Sequence, residues 1–265
     1  MKTYTKETLI EQLKLIRDKG WIKNKRSNNH VGGIGNTLED LLGIKENNLP
    51  LPNAAEWELK TQRENTSALV TLFHMEPSPR AMGFVPSLLL PNFGWPHKEA
   101  GKKYPTTEMS FRQTIPGNKG TDRGFKTIVD YKEKKILISF DYTQVNERHQ
   151  KWLNQVDEKI GLGELSTQPY WGFDDLIHKA GTKLLNCFFV EAEVKREILN
   201  NNRVEFYHYN KINMLKNLDV KKFVQSIDEG NIVVDFDART GHNHGTKFRL
   251  RANHLKDLYG DVTEL

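Results

Sequence analysis

Residues 32–63 read GGIGNTLEDLLGIKENNLPLPNAAEWELKTQR. Asn36 or Thr37 supplies an N-cap and Gly43 closes the segment, which predicts a short helix carrying Glu39. LPLPN then reads as a proline-containing turn, AAEWELKT as a strand and LVTLFHM as a second strand. Side chains alternate along a strand, so Glu58 and Lys60 of WELK project to one face, and Glu56 shares it by spacing.

Outward from this stretch, Leu9, Leu13 and Ile16 predict an amphipathic helix over residues 5–19 that stops at Gly20, followed by a basic, Asn-rich loop over 23–30. Residues 77–122, rich in proline, glycine and polar side chains, read as long loops with little regular structure. FKTIVDY and ILISFDY flank KEKK as a hairpin, and residues 146–159 and FDDLIHKAG read as helices. NCFFVEAEVKR and VEFYHYNKINML read as long paired strands, LDVKKFVQSIDEG as a helix, and NIVVDFDA and TKFRLR as the last two strands. Strands and helices in irregular order predict an α/β or α+β fold around a central mixed sheet.

The chain has 265 residues, 37% hydrophobic and 28% charged, a composition that excludes disordered, collagen-like and membrane-spanning classes. No apolar run reaches the length of a membrane span and the N-terminus has no signal-peptide core, so the expected location is the cytoplasm. The single cysteine, Cys187, lies in the apolar run LLNCFFV, which points to a buried structural thiol. The length allows two lobes sharing a cleft, here placed at residues 1–165 and 166–265. A net charge of +5 and a pI near 9.0 are compatible with a polyanionic partner but decide little alone. Their distribution says more, because Arg239, His242, His244, Lys247, Arg249, Arg251, His254 and Lys256 crowd into TGHNHGTKFRLRANHLK and its flank.

Metal-assisted hydrolysis of a phosphodiester needs carboxylates to hold Mg²⁺ against the phosphate and a lysine to orient the attacking water and offset developing charge. An acid followed by Glu-x-Lys on a strand supplies these groups. The dipeptide spacing is weak alone: Glu133/Lys135, Asp130/Lys132, Glu193/Lys195 and Asp219/Lys221 match it too. The first two fall at the KEKK hairpin, the third on the wet face of a strand and the last at a helix start. The bland alternative for Glu58/Lys60 is the exposed face of an edge strand.

GGIGNTLEDLLGI, LPLPN, WELKTQR and SALVTLF, taken together, resemble the catalytic region of the MvaI/BcnI-type restriction endonucleases and, more distantly, the mismatch-repair nickase MutH. The resemblance implies a PD-(D/E)xK nuclease core and a monomeric enzyme with two lobes around a DNA cleft, the first lobe catalytic and the second reading DNA. It places the family's helix glutamate on Glu39, its Pro-Asp on Pro52 and Asn53, and its Glu-x-Lys on Glu58 and Lys60, with Asn53 and Glu58 as Mg²⁺ ligands. The chain departs from the pattern at Asn53, since an amide is a weaker Mg²⁺ ligand than a carboxylate. Either an ancestor lost activity or the aspartate was replaced so that an intact DNA complex could be kept; the otherwise complete site favours the second, and Glu56 as a substitute ligand is less favoured. The resemblance further implies a short, near-palindromic site of CC, one central base pair and GG, cut strand by strand by a monomer, with a cognate DNA methyltransferase in the same system.

Related enzymes place histidines from two lobes at the centre of the site, which gives His74 a base-contacting role beside the ordinary reading as a core or surface histidine. The GHNHG cluster is a poor zinc site, having two histidines and no second ligand pair. Its glycines read as a tight loop from which His242 or His244 donates to base edges. Arg239, Arg249 and Arg251 suit bidentate contact with guanine. Lys247, Arg249 and Arg251 share one face of TKFRLR while Phe248 and Leu250 share the other, the plain alternative being a solvated strand face. VGGIG is no P-loop, since no Lys-Ser/Thr follows it. Two further functions compete with restriction: a DNA-binding protein that has lost cleavage, and a repair nickase.

Overall fold

The computed structural model of the chain describes residues 4–24, 26, 33–44 and 56–265. The LPLPN turn with Asn53, the first residues of AAEWELKT and most of the 23–30 loop lie outside the described residues. Among the described residues the helices are α1 (Lys6–Asp18), α2 (Gly33–Leu42), α3 (Leu90–Phe93), α4 (Gln150–Ile160), α5 (Phe173–Leu184) and α6 (Val220–Asp228). The strands are β1 (Ile22–Lys23), β2 (Glu58–Arg63), β3 (Leu69–His74), β4 (Trp95–Pro96), β5 (Met109–Ile115), β6 (Arg123–Asp130) and β7 (Lys135–Val145), then β8 (Tyr170–Gly172), β9 (Asn186–Leu199), β10 (Asn202–Leu218), β11 (Ile232–Arg239), β12 (His242–Asn243), β13 (Lys247–Arg251) and β14 (Tyr259–Glu264). The fold is mixed α/β.

Two compact units form, one from Met1–Val70, His178–Val220 and Arg251–Leu265, the other from Thr71–Ile177 and Lys221–Leu250. The lobe boundary expected at 165/166 falls inside the second unit. The physical reason is strand pairing: β2 finds its neighbour in β9, far along the chain, so the first unit is assembled from separated segments.

In the first unit the sheet runs β1-β10-β9-β2, with β14 also on β10. β9 and β10 form an antiparallel hairpin whose turn residues Asn200 and Asn201 have φ of 50° and 61°, a conformation that asparagine tolerates well. β2 lies parallel to β9, setting Glu58 opposite Cys187 and Lys60 opposite Phe189. Thr5 and Thr8 form a reciprocal capping box on α1, which buries Leu9, Leu13 and Ile16; Gly20, at φ 68°, ends the turn. These side chains join Ile34, Leu38 and Leu42 of α2 and Leu59 and Phe188 of the sheet in one core. Each such aliphatic side chain contributes roughly 1.5–3 kcal/mol by burial.

α2 begins at Gly33, earlier than the Asn36 or Thr37 start expected from the sequence, and ends at Gly43 as expected. The glycines serve close approach rather than capping. A Cβ on Gly33 would lie 2.8 Å from the Tyr207 hydroxyl, and one on Gly35 would lie 3.0 Å from Thr61 Oγ1.

The second unit contains a sheet of order β3-β13-β11-β5-β4, with β12 on β11, and a three-stranded sheet β6-β7-β8. The β6–β7 hairpin pairs Asp130 with Lys135 around the charged turn, as its sequence implied. Residues 77–122 are more regular than expected: a π-helical turn (Val85–Leu89) leads into α3, and β5 pairs with β11 from Ile115 to Ser110. Phe111 and Ile115 of β5 are fully buried, and their partners on β11 come from the far end of the chain. Among the described residues no helix is long and apolar enough to cross a membrane.

Cys187 is fully buried, and burial pushes its thiol up to about 12, with Lys60 opposing and Glu58 adding to that shift. A protonated, inaccessible thiol is a poor nucleophile. Native protein at pH 8 is therefore expected to leave a thiol-reactive disulfide reagent unconsumed over an hour, and denatured protein to consume one equivalent at once; rapid labelling of the native chain would contradict this burial.

Candidate active site

β2 positions Glu58 and Lys60 on one face while Leu59, on the other, enters the core under α1 and α2. Glu58 is only 2% exposed, and a carboxylate so enclosed requires compensating charge. It has it from two sides. Lys60 Nζ lies 2.8 Å from Oε1, and Lys183 Nζ lies 3.1 Å from Oε2.

Lys183 was not among the residues singled out from sequence. FDDLIHKAG reads as a helix ending near Gly181, but α5 continues to Leu184 and carries Lys183 in its last turn. That position suits a cation, because the carbonyl end of a helix is partially negative, and Asp174 and Asp175 sit correspondingly in the first turn. A helical reading carried three residues past Gly181 would have found it, since Leu176, Ala180 and Leu184 repeat at four-residue intervals and are all fully buried.

Below the pair, Tyr259 donates its hydroxyl to the Leu184 carbonyl at 2.8 Å, and burial, with Cys187 and Glu58 nearby, holds the phenol well above its usual range. Neither Cys187 nor Tyr259 carries negative charge near neutral pH. The Glu58 carboxylate thus meets one ammonium at each of its two oxygens.

Glu39 sits half-buried on α2, which packs on β2; the Tyr209 hydroxyl donates to the Ile34 carbonyl at 2.8 Å and Tyr4 donates to the Leu42 carbonyl, holding both ends of that helix. Glu56 lies in a turn before β2 and is exposed, so the shared face that its spacing implied is not formed. Among the described residues no group of three His, Cys, Asp or Glu converges on a point. A small hard cation needs no such cage, since it is commonly held by one or two carboxylates with water and substrate oxygens completing the shell. Glu58 fits that donor set.

The remaining sequence candidates lie on or beside β3, β11, β12 and β13, all but Arg251 within the second unit. His74 ends β3, exposed, and a Cβ on Gly245 would lie 3.3 Å from its ring, so His74 borders the GHNHG loop. Glu76 anchors that loop, accepting from the Thr246 amide at 2.7 Å and the Thr246 hydroxyl at 3.1 Å. Gly241 and Gly245, at φ 68° and 80°, make the tight turn. His242 Nε2 and His244 Nδ1 are 3.3 Å apart, both rings exposed. Partial desolvation lowers the His244 pKa, Asp237 opposing, with His242, Lys247 and Arg112 adding to the fall.

On β13 the expected alternation holds, with Phe248 and Leu250 fully buried and Lys247, Arg249 and Arg251 on the other face. The basic row is not a bare stripe, however. Lys247 pairs with Asp237 at 3.3 Å and Arg249 with Asp235 at 3.2 Å, while Arg112 of β5 reaches Asp237 from the other side at 2.8 Å. Arg239 pairs with Glu108 at 3.0 Å and lies 4.7 Å from the Tyr104 ring centroid; Arg251 is exposed. The acidic partners Asp235, Asp237 and Glu108 and the extra Arg112 escaped the sequence reading, because cross-strand register decides them. Guanidinium groups held in this way are oriented for bidentate hydrogen bonding rather than for diffuse attraction.

Among curated proteins none matches the chain. Of solved structures, the chain is similar to the restriction endonuclease MvaI in complex with its cognate DNA substrate, at 26% identity over 99% of each chain and a TM-score of 0.76. It is similar also to MvaI in the absence of DNA, at 26% identity over 100% of this chain and 99% of that one, with a TM-score of 0.53. The model of the MvaI/BcnI restriction endonuclease family matches residues 10–259, and the chain belongs to that family.

Proposed function

We propose that the chain is the endonuclease of a restriction-modification system, recognising a short CC-N-GG type site in double-stranded DNA through the second unit and hydrolysing the phosphodiester bond at Glu58 and Lys60. One observation carries the catalytic part: a strand carboxylate almost fully removed from water, bonded to the lysine two residues on. Such an arrangement is costly for a fold and suits phosphoryl chemistry. Glu58 and residue 53 would hold the cation, Mg²⁺ in this reading, which when bound supplies Lewis-acid stabilisation of charge on the phosphate. Lys60 positions the attacking water and offsets charge on the phosphate as the bond forms; Glu39, on the helix packed over β2, belongs to the same site. His74, Arg239, His242, His244, Lys247, Arg249 and Arg251 make the DNA contacts.

Asn53 favours a second reading for the chain as it stands, a protein that binds its site and cuts poorly, because the neutral amide leaves Glu58 as the one ionised ligand of the assigned pair. Both readings share a soluble cytoplasmic protein acting beside a cognate methyltransferase, and both require DNA binding.

A monomer facing a near-palindrome must cut the strands in turn, rebinding in the opposite orientation between nicks. Sedimentation with a CC-N-GG duplex in Ca²⁺ is expected to give a 1:1 complex. A stable 2:1 complex would replace this mechanism by the symmetric dimer, and no complex at all would remove the function proposed.

A further inference from the structure

We propose that Lys183 competes with the divalent cation for Glu58 Oε2 and so sets the cation concentration at which the catalytic site fills. The inference rests on the reading of Glu58 as the cation-binding carboxylate. The two lysines on this carboxylate are not equivalent. Lys60 stands on β2 itself, two residues from Glu58, and its Nζ lies 2.8 Å from Oε1. Lys183 approaches from α5 and holds Oε2 at 3.1 Å. Its four-carbon stem starts in the last turn of a helix, so the ammonium head is able to withdraw by a few ångströms through side-chain rotation alone.

The exposures of the three side chains, 2% for Glu58, 11% for Lys183 and 13% for Lys60, leave little water to screen them from one another. A cation bound directly to Oε2 would lie within a few ångströms of the Lys183 ammonium, and repulsion between the two in so dry a place is strong. Each therefore excludes the other from that oxygen. Lys183 in this role is a positioning residue: without a cation it satisfies the buried carboxylate, and it yields that oxygen when the site is loaded.

The test is Mn²⁺ binding to the full chain without DNA, read from the loss of the free-ion electron paramagnetic resonance signal. Lys183→Met, which keeps the length and removes the charge, is expected to bind Mn²⁺ on the order of tenfold more tightly than the unaltered chain. Lys183→Arg keeps the charge and is expected to bind no more tightly than the unaltered chain. Thermal melts report whether each variant is folded, and Lys183→Gln takes the place of the methionine variant should that one fail. Equal Mn²⁺ affinity in the neutral variants and the unaltered chain, undetectable binding in both included, overturns the proposal; so does an equal gain with arginine. Adding Glu58→Gln to Lys183→Met separates this failure from the failure of the reading beneath it. A gain that survives loss of the carboxylate charge shows that Glu58 does not hold the ion, whereas a gain that disappears with it supports both.

Discussion

Asn53→Asp is expected to switch on Mg²⁺-dependent cleavage of plasmid DNA carrying CC-N-GG sites, while affinity for an uncut duplex in Ca²⁺ stays within a few-fold of its present value. In the proposed reading the carboxylate supplies the cation with a second hard anionic ligand besides Glu58, and charge stabilisation by a properly held cation is worth several kcal/mol, roughly a hundredfold to a thousandfold or more in rate. In that reading recognition is carried by β11, β13 and the GHNHG loop, so affinity is expected not to depend on residue 53. In the restored protein, Lys60→Ala is expected to abolish cutting again. This loss has a clean reading, because Glu58 keeps its contact with Lys183 and its carboxylate is not orphaned by the change. Glu58→Ala is less clean: it removes the carboxylate that both lysines contact, and breaking a buried pair costs about 3–5 kcal/mol. Glu58→Gln, checked by thermal melting, is the better loss-of-cation variant. If Asn53→Asp stays inert with Mg²⁺ and with Mn²⁺ on such a plasmid, the active-site assignment is wrong and only the DNA-binding reading survives.

The parts of the site that were legible in the sequence are those written in local periodicity. Glu58 and Lys60 share a face because two residues along a strand always do, and the same rule put Phe248 and Leu250 in the core with Lys247 and Arg249 opposite them. The β6–β7 hairpin was marked by its charged turn. What remained hidden depends on which strands meet. β5 is flanked by proline, glycine and polar residues and reads as loop until β11 arrives to pair with it, burying Phe111 and Ile115. Asp235 and Asp237 look like ordinary strand charges until register sets them between Arg249, Lys247 and Arg112. The interleaving of the two units likewise follows from the parallel pairing of β2 with β9, a contact between distant segments that no local pattern announces. Lys183 was missed for a different reason: a glycine inside a helix lowers its propensity but does not end it when apolar residues on both sides are buried.

Arg249→Ala is expected to lower affinity for the cognate duplex by about 1–3 kcal/mol, the worth of a bidentate guanine contact, while leaving affinity for random DNA nearly unchanged. The structure adds a second expected effect. Asp235 is buried and holds Arg249 at 3.2 Å, so removing the guanidinium takes away a charged partner, although Thr114 still donates to the other carboxylate oxygen at 2.7 Å. The variant is therefore expected to melt at a lower temperature as well, and part of any loss of binding at elevated temperature would be unfolding. Arg249→Ala combined with Asp235→Asn removes the strained charge and isolates the loss of the contact. Arg251 gives an independent comparison because it is exposed at the end of β13, so Arg251→Ala is expected to leave the melting temperature unchanged. If Arg251 reads a base, cognate affinity alone falls. A phosphate contact instead weakens cognate and random DNA alike and reduces the slope of log affinity against log salt by about one unit. Cognate binding that is unaffected by either arginine, measured below the melting transition of each variant, would move the recognition surface away from β13 altogether.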